Sequence, residues 1–555
     1  MEFELLLAGA DDHQPILREG LPLDTAARQP RPEAPRTPEH LYDQGGDPDS
    51  LPLQRWGVVA PEGARGDRLL ELMAPLRALR REQQEGVEPR VYRVPPGQDA
   101  TQAVQWMKTV LHDERVPTRD QPRYLLLLGD FDEVSLELQQ VLASDGFVGR
   151  LAFSSDAGYE AYVRKVLRWA RTPLPARKAR ALFYTAHDGT AATTLGYHAL
   201  VSPSLASCRA LQERGDFPAE LLTELGQPAD WSKELLLEQV SSPQASLLFT
   251  VSHGLGAPRG GWKTVEEQRA LQGAMHLGAH GRLEASSLAS TPFLPGGIWF
   301  YLACFGAGTP ARSAYHPWLS QLRGAGEFSG RLERVLESLP REGERPFVAA
   351  LPQAVLANPE GPLAVVGHAD LAWTYSFQDM GQDGRPRPSR FQGLMNSLVR
   401  GRHAGVGLGE LFRFFTQANT ELTLLYDQEA YAPASSGGRP VDPAKRAHLW
   451  MLRHDLAGYI LLGDPAVTLP LSREVQAARP QAPEARISSL LGMPVAAPSP
   501  KPSADVMAEA VLAMLSGEES QKAIAERVGV TLQELRRWEQ AYKDAGRAAM
   551  ERLRA

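Results

Sequence analysis

Two residues of the chain could together perform nucleophilic catalysis, and each follows an apolar run. His253 comes directly after SLLFTVS and Cys304 lies near the end of GIWFYLACF, and glycines follow both. A thiol acts as a nucleophile when a base lies within hydrogen-bond reach of it. The two residues are 51 positions apart, so adjacent parallel strands joined by a crossover would bring them to one edge of a sheet. We therefore predict that Cys304 and His253 form a nucleophile and base pair.

The chemistry that suits such a pair is attack on an acyl carbon. A free thiol has an ordinary pKa of about 8.5 and is mostly protonated at neutral pH, so a base must take its proton. Attack on a peptide carbonyl then creates an oxyanion, which needs donors already in place. Because Gly254 has no side chain to hold substrate away from its N–H, we assign the oxyanion hole to the amides of Gly254 and Cys304. Alone, either a cysteine or a histidine is more often structural, and the pairing is what favours catalysis.

The elements that must position this pair are short apolar runs separated by amphipathic segments. Such alternation is typical of buried parallel strands with helices on both faces of the sheet, and chemistry gathers outside the carboxyl ends of the strands. We predict helices near 66–84 and 100–112. The predicted strands, besides the two above, are WGVVA from Trp56, VYRV, YLLLLGD at 124–130, ARALFYTA at 179–186, FVAALPQAVL at 347–356 and PLAVVGHAD at 362–370.

Changes in composition divide the chain into five segments. Residues 1–54 are rich in proline and charge and are read as an extended arm with a short strand at Glu4–Leu7. Residues 471–503, rich in proline and alanine, read as a linker. The predicted domains are an arm at 1–54, an N-terminal α/β subdomain at 55–175, a catalytic domain at 176–470, the linker, and a small all-α domain at 504–555.

Composition excludes several classes of protein. Two cysteines, Cys208 and Cys304, cannot build a disulfide framework or a four-thiolate zinc site. The net charge of -7 argues against a basic nucleic-acid coat. The first residues lack the basic and apolar regions of a secretory signal, and no run of about 18 apolar residues occurs. We expect a cytoplasmic protein that does not enter a membrane.

The pair TVSHG and YLACFGAG resembles the catalytic signature of clan CD cysteine peptidases, the group of caspases, gingipains, separase and the CHAT proteases. The resemblance covers roughly residues 55–470. Further segments resemble the gingipain-like branch: YLLLLGD at 124–130, VGRLAFSSDAGYEAYVRKVLRW at 148–169, PLAVVGHADLAWTYS at 362–376 and YILLGDPAVTLP at 459–470.

This resemblance implies a caspase-like three-layer α/β/α sandwich with a mostly parallel sheet, a His253 and Cys304 dyad, and Gly254 as an oxyanion residue. Arginine-specific relatives have an acidic residue in the specificity pocket, and here the matching position falls near His198, which is not acidic. The neighbouring carboxylate, Asp188, is the candidate substrate contact. Trp373 is a second substrate-binding candidate, as a pocket wall, although a core tryptophan is an equal alternative. No cofactor or metal is expected.

Three other motifs have weaker functional interpretations. His276 and His280 have the i, i+4 spacing of a helical zinc pair, but no third ligand is spaced nearby and Gly278 weakens a helix, so we expect no metal there. YILLGDP lacks a glycine-rich loop with lysine and is read as a structural turn. The stretches at 378–390 and 432–446 are candidate processing loops for an activating protease, and ordinary surface loops are the alternative.

The tail resembles a helix-turn-helix. SQKAIAERVGVTLQELRRW has Ala525 for close helix packing and Gly529 for the turn. From 504 to 555 there are eight Lys and Arg against nine Asp and Glu. Because DNA affinity depends largely on neutralising phosphates, DNA binding and protein docking stay equal alternatives.

The sequence therefore predicts a regulated cysteine endopeptidase that cleaves proteins through a Cys304 thioester. From the resemblance we expect a place in a bacterial protease cascade, such as defence or cell death, with an activating protease or partner protein. The alternative is a DNA-binding or scaffold regulator with an inactive peptidase-like body.

Overall fold

The computed structural model describes most of the chain between residues 46 and 472. The described ranges are 46–172, 178–227, 231–258, 261–326, 332–341, 343–379, 385–431 and 442–472, with Glu2–Phe3, Leu21–Pro22, Ile524, Arg527, Val528, Leu535 and Trp538. The chain forms two compact units, Met1–Ala482 and Pro483–Ala555. The arm strand predicted at Glu4–Leu7 lies outside the described residues, as do most of the linker and the tail.

A ten-stranded sheet forms the centre of the first unit. In chain order its strands are β1 Trp56–Pro61, β2 Arg90–Val94, β3 Tyr124–Leu128, β4 Phe147–Leu151, β5 Ala179–Thr185, β6 Ala219–Leu225, β7 Ser246–Val251, β8 Ile298–Leu302, β9 Ala364–His368 and β10 Tyr459–Gly463. Across the sheet they lie in the order β2-β1-β3-β4-β10-β9-β8-β7-β5-β6. Strands β1 to β4 pair in parallel with one another, as do β5 to β9, and β10 runs antiparallel to β9.

Helices cover both faces of the sheet. In β3, Leu125 and Leu127 pack into one hydrophobic cluster, whereas Leu126 and Leu128 pack into the other. Alternate residues of a strand point to opposite faces, so each face has its own core. The mostly parallel α/β fold predicted from the sequence is confirmed.

The α-helices connect these strands. Their bounds are Leu51–Gln54, Ala64–Leu72, Ala74–Gln83, Ala100–Trp106, Leu136–Ala143, Asp156–Arg171, Ala191–Gly196, Ser202–Glu213, Lys233–Val240, Val265–Leu271, Ala285–Leu288, His316–Gly324, Leu332–Ser338, Ala350–Ala357, Ser389–Val399, Ala404–Tyr431 and Pro443–Ala457. None of the helices in the described part of the chain has the length and apolarity that a membrane crossing requires.

Small sheets complete the unit. One has three antiparallel strands, His253–Gly254, Met275–His276 and Arg282–Leu283. The other pairs Gly308–Thr309 with Phe347–Val348. The short strands Glu2–Phe3 and Leu21–Pro22 also pair with each other.

The strand predicted at 347–356 is wrong. Only Phe347–Val348 is extended, and a helix follows at Ala350–Ala357. Pro352 falls in the first turn of this helix, where a missing N–H leaves no intrahelical bond unmade, and the alanines favour helix. A run of apolar residues shows burial but does not distinguish a strand from a buried helix.

The helix predicted near 66–84 is present as two helices that meet at Met73, because Pro75 begins a new first turn. The helix predicted near 100–112 is confirmed as Ala100–Trp106, continued by a π-helical turn at Met107–Leu111.

Candidate active site

His253 and Cys304 follow two adjacent strands. Strands β7 and β8 are parallel and in register, with Val251 opposite Leu302, and the N–H of Ser252 donates to the Leu302 carbonyl at 3.2 Å. Each candidate residue lies two positions past this pair. The structure therefore places both at the same edge of the sheet.

Gly254 touches the backbone of Cys304. A Cβ at position 254 would lie 1.8 Å from the Cys304 carbonyl oxygen, which no side chain can tolerate. The N–H of Leu255 donates to the Ala274 carbonyl at 2.9 Å. Because successive N–H groups of an antiparallel strand point to opposite sides, the N–H of Gly254 points away from that neighbouring strand.

The imidazole of His253 is directed toward the segment after β5. Its Nε2 lies 2.8 Å from the hydroxyl oxygen of Thr190 and 3.7 Å from Oδ2 of Asp188. The ring is partly exposed, at 39%. The Nε2 side of the imidazole is therefore held by protein groups, while another part of the ring is exposed and accessible to a ligand.

Asp188 lies behind the imidazole, with its side chain only 2% exposed. Its Oδ1 accepts from the Thr193 hydroxyl at 2.7 Å, the Thr190 hydroxyl at 2.8 Å and the Thr190 N–H at 3.1 Å. Burial raises the pKa of this carboxyl, but these hydrogen bonds and the neighbouring His253 outweigh it and leave the pKa below its ordinary value. Asp188 is consequently ionised at neutral pH.

These bonds determine which nitrogen of His253 carries the proton. A threonine hydroxyl has one proton, and an ionised carboxylate only accepts hydrogen bonds. Since Thr190 donates to Asp188, its oxygen accepts from His253 Nε2–H. The other ring nitrogen, Nδ1, then has the free lone pair that a base requires.

A second imidazole approaches the same carboxylate. His276 lies opposite His253 in the small sheet, and its Nδ1 is 3.6 Å from Asp188 Oδ2. The helical pair weighed for His276 and His280 is not formed, because His276 is in a strand and His280 is in a 3-10 turn at Gly278–His280. Among the described residues, no cluster of three or more His, Cys, Asp or Glu side chains could hold a metal ion.

Cys304 lies at a sharp turn at the end of β8. Phe305, the next residue, has a φ of 56°, in the left-handed region that side chains rarely adopt, and its N–H donates to the Asp370 carbonyl at 2.9 Å. The half-buried thiol donates to the Ala372 carbonyl at 3.5 Å, and the Ala372 N–H lies 3.3 Å from the sulfur. The turn thus holds the sulfur against the segment after β9.

Burial raises the pKa of the Cys304 thiol to about 11, although the Ala372 N–H opposes the shift. The resting group is therefore a thiol rather than a thiolate. The imidazole is held from the β5 side and the sulfur from the β9 side, and no hydrogen bond joins them in the described structure. The sulfur would therefore have to give its proton to a base before it could act as a nucleophile.

An aromatic cluster borders the thiol. Trp373 is half-buried in the hydrophobic cluster that Cys304 also contacts, and its ring centroid lies 5.7 Å from those of Tyr315 and Trp318. This places the candidate pocket wall beside the sulfur. Its contact with a substrate stays a prediction.

Sequence reasoning missed three residues that shape this site: Thr190, His276 as a partner of Asp188, and Asp455, which binds the Trp373 N–H. The one available signal was the sequence DGTAAT after β5, in which Thr190 and Thr193 follow Asp188 at turn spacing. Asp455 lies 151 positions after Cys304 and carries no local signal.

The fold resembles that of solved cysteine proteinase structures. Solved structures with this likeness include one described as a protease (12% identity, 75% of this chain and 78% of the other, TM-score 0.42). Two more are the Arg-specific cysteine proteinase gingipain R (12%, 75% and 78%, TM-score 0.41) and a complex of the pro- and mature domains of RgpB from Porphyromonas gingivalis (13%, 75% and 79%, TM-score 0.41). A search of curated proteins found no match.

The second unit matches a known family over part of its length. Residues 508–554 match the family model described as a helix-turn-helix domain. Of its described residues, Ile524 and Leu535 are helical and fully buried. The family match confirms the helix-turn-helix predicted for the tail.

Proposed function

We propose that the chain is a cysteine endopeptidase in which Cys304 is the nucleophile and His253 the general base. The observation that carries this proposal is the position of the two residues past the paired strands β7 and β8, with His253 Nε2 fixed through Thr190 to an ionised Asp188. Neither the tautomer nor the buried carboxylate would be needed if His253 were only a surface residue.

In the first step the Cys304 sulfur attacks the carbonyl carbon of a peptide bond, and its proton passes to His253 Nδ1. The carbonyl oxygen becomes an oxyanion, which the N–H groups of Gly254 and Cys304 are proposed to bind. As the C–N bond breaks, the imidazolium returns the proton to the leaving amine. The product is a thioester on Cys304. Water then attacks the thioester and gives up a proton to His253; as the C–S bond breaks, the imidazolium returns that proton to the Cys304 sulfur, and the acid product is released.

Asp188 fits a positioning role better than the substrate contact predicted from the sequence. Its side chain is 2% exposed and its Oδ1 is fully used by Thr190 and Thr193. Through Thr190 it orients the imidazole and stabilises the imidazolium that forms. Primary specificity is then set elsewhere, and Trp373 beside the sulfur is the proposed wall of that pocket.

The experiment that tests this proposal is activity profiling of the full chain against a peptide library, beside Cys304→Ala and His253→Ala variants. We expect cleavage by the unmodified chain and none by either variant. The proposal includes a cytoplasmic location and control by an activating protease or partner protein, within a bacterial defence or cell-death cascade. Intact masses of active enzyme and the Cys304→Ala form test self-processing at 378–390 or 432–446, parts of which lie outside the described residues.

A second candidate function is DNA-dependent regulation through the C-terminal unit, which the helix-turn-helix match at 508–554 favours. In that case the peptidase-like body would act as a scaffold. Binding of duplex DNA by an unmodified chain that also cleaves peptides would join the two functions, whereas DNA binding with no peptidase activity in the unmodified chain would favour the scaffold.

A further inference from the structure

One peptide group connects Cys304 with a buried carboxylate. The carbonyl of Ala372 accepts from the Cys304 thiol, with sulfur and oxygen 3.5 Å apart. The N–H at the other end of the same peptide group, that of Trp373, donates to Asp455 Oδ1 at 2.7 Å. The sulfur and the carboxylate are therefore hydrogen-bonded to opposite ends of one planar peptide group.

Asp455 also holds the segment at a second point. Its Oδ2 accepts from the Ser376 N–H at 2.8 Å, so the carboxylate spans a 3-10 turn at Thr374–Ser376. The side chain is 0% exposed and lies on the helix Pro443–Ala457. Both oxygens thus have protein donors, and loss of either would leave buried N–H groups without an acceptor, which is costly.

We propose that Asp455 is a positioning residue for the nucleophile. It fixes the Ala372–Trp373 peptide and the turn behind it, and the Cys304 sulfur rests against that segment from the other side. Asp455 does not touch the substrate. This inference rests on the proposed function, because it assigns Asp455 a role in presenting a catalytic thiol.

The same arrangement has an electrostatic consequence. Burial is the largest cause of the raised pKa of Cys304, and the negative charges of Asp455 and Asp370 raise it further. Burial raises the pKa of Asp455 to about 7, against the opposing donation from the Trp373 and Ser376 amides. The titratable or charged neighbours of this pair are Asp370, Tyr301, Tyr315, Tyr375, Tyr459, His368 and Arg390.

The test is the pH dependence of Cys304 alkylation by iodoacetamide in the full-length protein, read by peptide mass so that Cys208 is scored separately. In Asp455→Asn the charge is removed while one oxygen is kept. We expect the midpoint of Cys304 alkylation to fall by roughly one pH unit. Asp464→Asn is the matched control, because Asp464 is also 0% exposed but binds Arg80 and Trp56. Its midpoint should equal that of the unmodified chain.

An unchanged midpoint in folded Asp455→Asn would overturn the inference. If that variant does not fold, Asp455→Glu takes its place, since it keeps the negative charge but moves the carboxylate away from the Trp373 and Ser376 N–H groups. We then expect an unchanged midpoint and a kcat at least tenfold lower on any library peptide that the unmodified chain cleaves; an unaltered kcat would refute the positioning role. If no peptide is cleaved at all, the proposed function fails, and the alkylation midpoints still decide the role of Asp455.

Discussion

His253 and Asp188 share one hydroxyl group, that of Thr190, whose oxygen lies 2.8 Å from the imidazole Nε2 and 2.8 Å from the carboxylate Oδ1. This relation places the proton of the imidazole on Nε2 and leaves the lone pair of Nδ1 for the proposed role as base. It also makes a small exposed threonine part of the site, for which the turn spacing of DGTAAT was the one signal in the sequence.

Replacement of Thr190 by valine should therefore reduce catalysis without unfolding the protein. Thr190→Val keeps the branched shape but removes the hydroxyl, so we expect kcat to fall by about tenfold or more while KM changes little. Thr190→Ser restores the hydroxyl and should recover most of the loss. Steady-state kinetics on one library peptide would measure both. Equal kcat values for the valine and serine variants would show that the Thr190 hydroxyl between His253 and Asp188 does not contribute to catalysis.

Gly254→Ala should damage both folding and activity. The added Cβ would lie 1.8 Å from the Cys304 carbonyl oxygen, so the two strand ends must separate. We expect a loss of about 1–3 kcal/mol in the free energy of unfolding and a large fall in kcat. Chemical denaturation measures the first quantity. Gly324→Ala is the control, because a Cβ at that helical glycine meets nothing within 4 Å; a variant at 254 as stable as this control would refute the close contact.

The buried acids near the thiol should contribute a stability that decreases as the pH rises from about 4 to 7, against an opposite contribution from His368 and His454, whose pKa values burial lowers to about 4 and about 3. Burial raises the pKa of Asp370 to about 6 and that of Asp455 to about 7, from an ordinary value of 3.8. The folded state then binds protons more tightly than the unfolded state in this window, so each group favours folding at low pH, and the effect is lost as the pH passes its folded value.

Each unit of pKa difference is equivalent to about 1.4 kcal/mol. Urea unfolding at a series of pH values should show that the unfolding free energy of the unmodified chain, relative to that of Asp455→Asn, decreases as the pH rises from about 4 to 7, whereas its value relative to Asp464→Asn should stay constant. Parallel curves for all three proteins would show that Asp455 is ionised normally in the folded state.

DNA binding by the C-terminal unit can be separated from protein docking by salt. The tail has eight basic and nine acidic residues from 504 to 555, so few phosphates can be neutralised. If DNA is the partner, gel mobility shift with the full chain should show an affinity that falls between about 50 and 200 mM salt, with a shallow slope that reflects the small number of phosphate contacts. No shift at low salt would leave protein docking as the role of this unit.

The strands that carry chemistry could be predicted because buried parallel strands leave an apolar signature that ends in polar residues. This signature located β7, β8 and β9 and the residues after them. It failed at 347–356, where the same apolar character belongs mainly to a helix. Edge strand β6, in which only the end residues Ala219 and Leu225 are buried, left no such run.

The supporting residues of the site could not be predicted, because they depend on contacts between distant parts of the chain. Asp455 reaches the site from a helix, and only the packing of Pro443–Ala457 against the Thr374–Ser376 turn brings it there. The role of Asp188 as a partner of His253 likewise depends on the side-chain directions after two neighbouring strands. The spacing of residues along the sequence can indicate at best which strands are neighbours, and it does not give the directions of the side chains that follow them.

The central claim is that Cys304 acts as a nucleophile with His253 as its base, and labelling with a peptide acyloxymethyl ketone tests it most directly. The full chain should gain the mass of one acyl-methyl group, located on Cys304 by peptide mapping, and His253→Ala should be labelled at a much lower rate. Cys208, which is fully buried, should stay unmodified. Absence of label on Cys304 in a folded protein, or equal labelling rates with and without His253, would contradict the account.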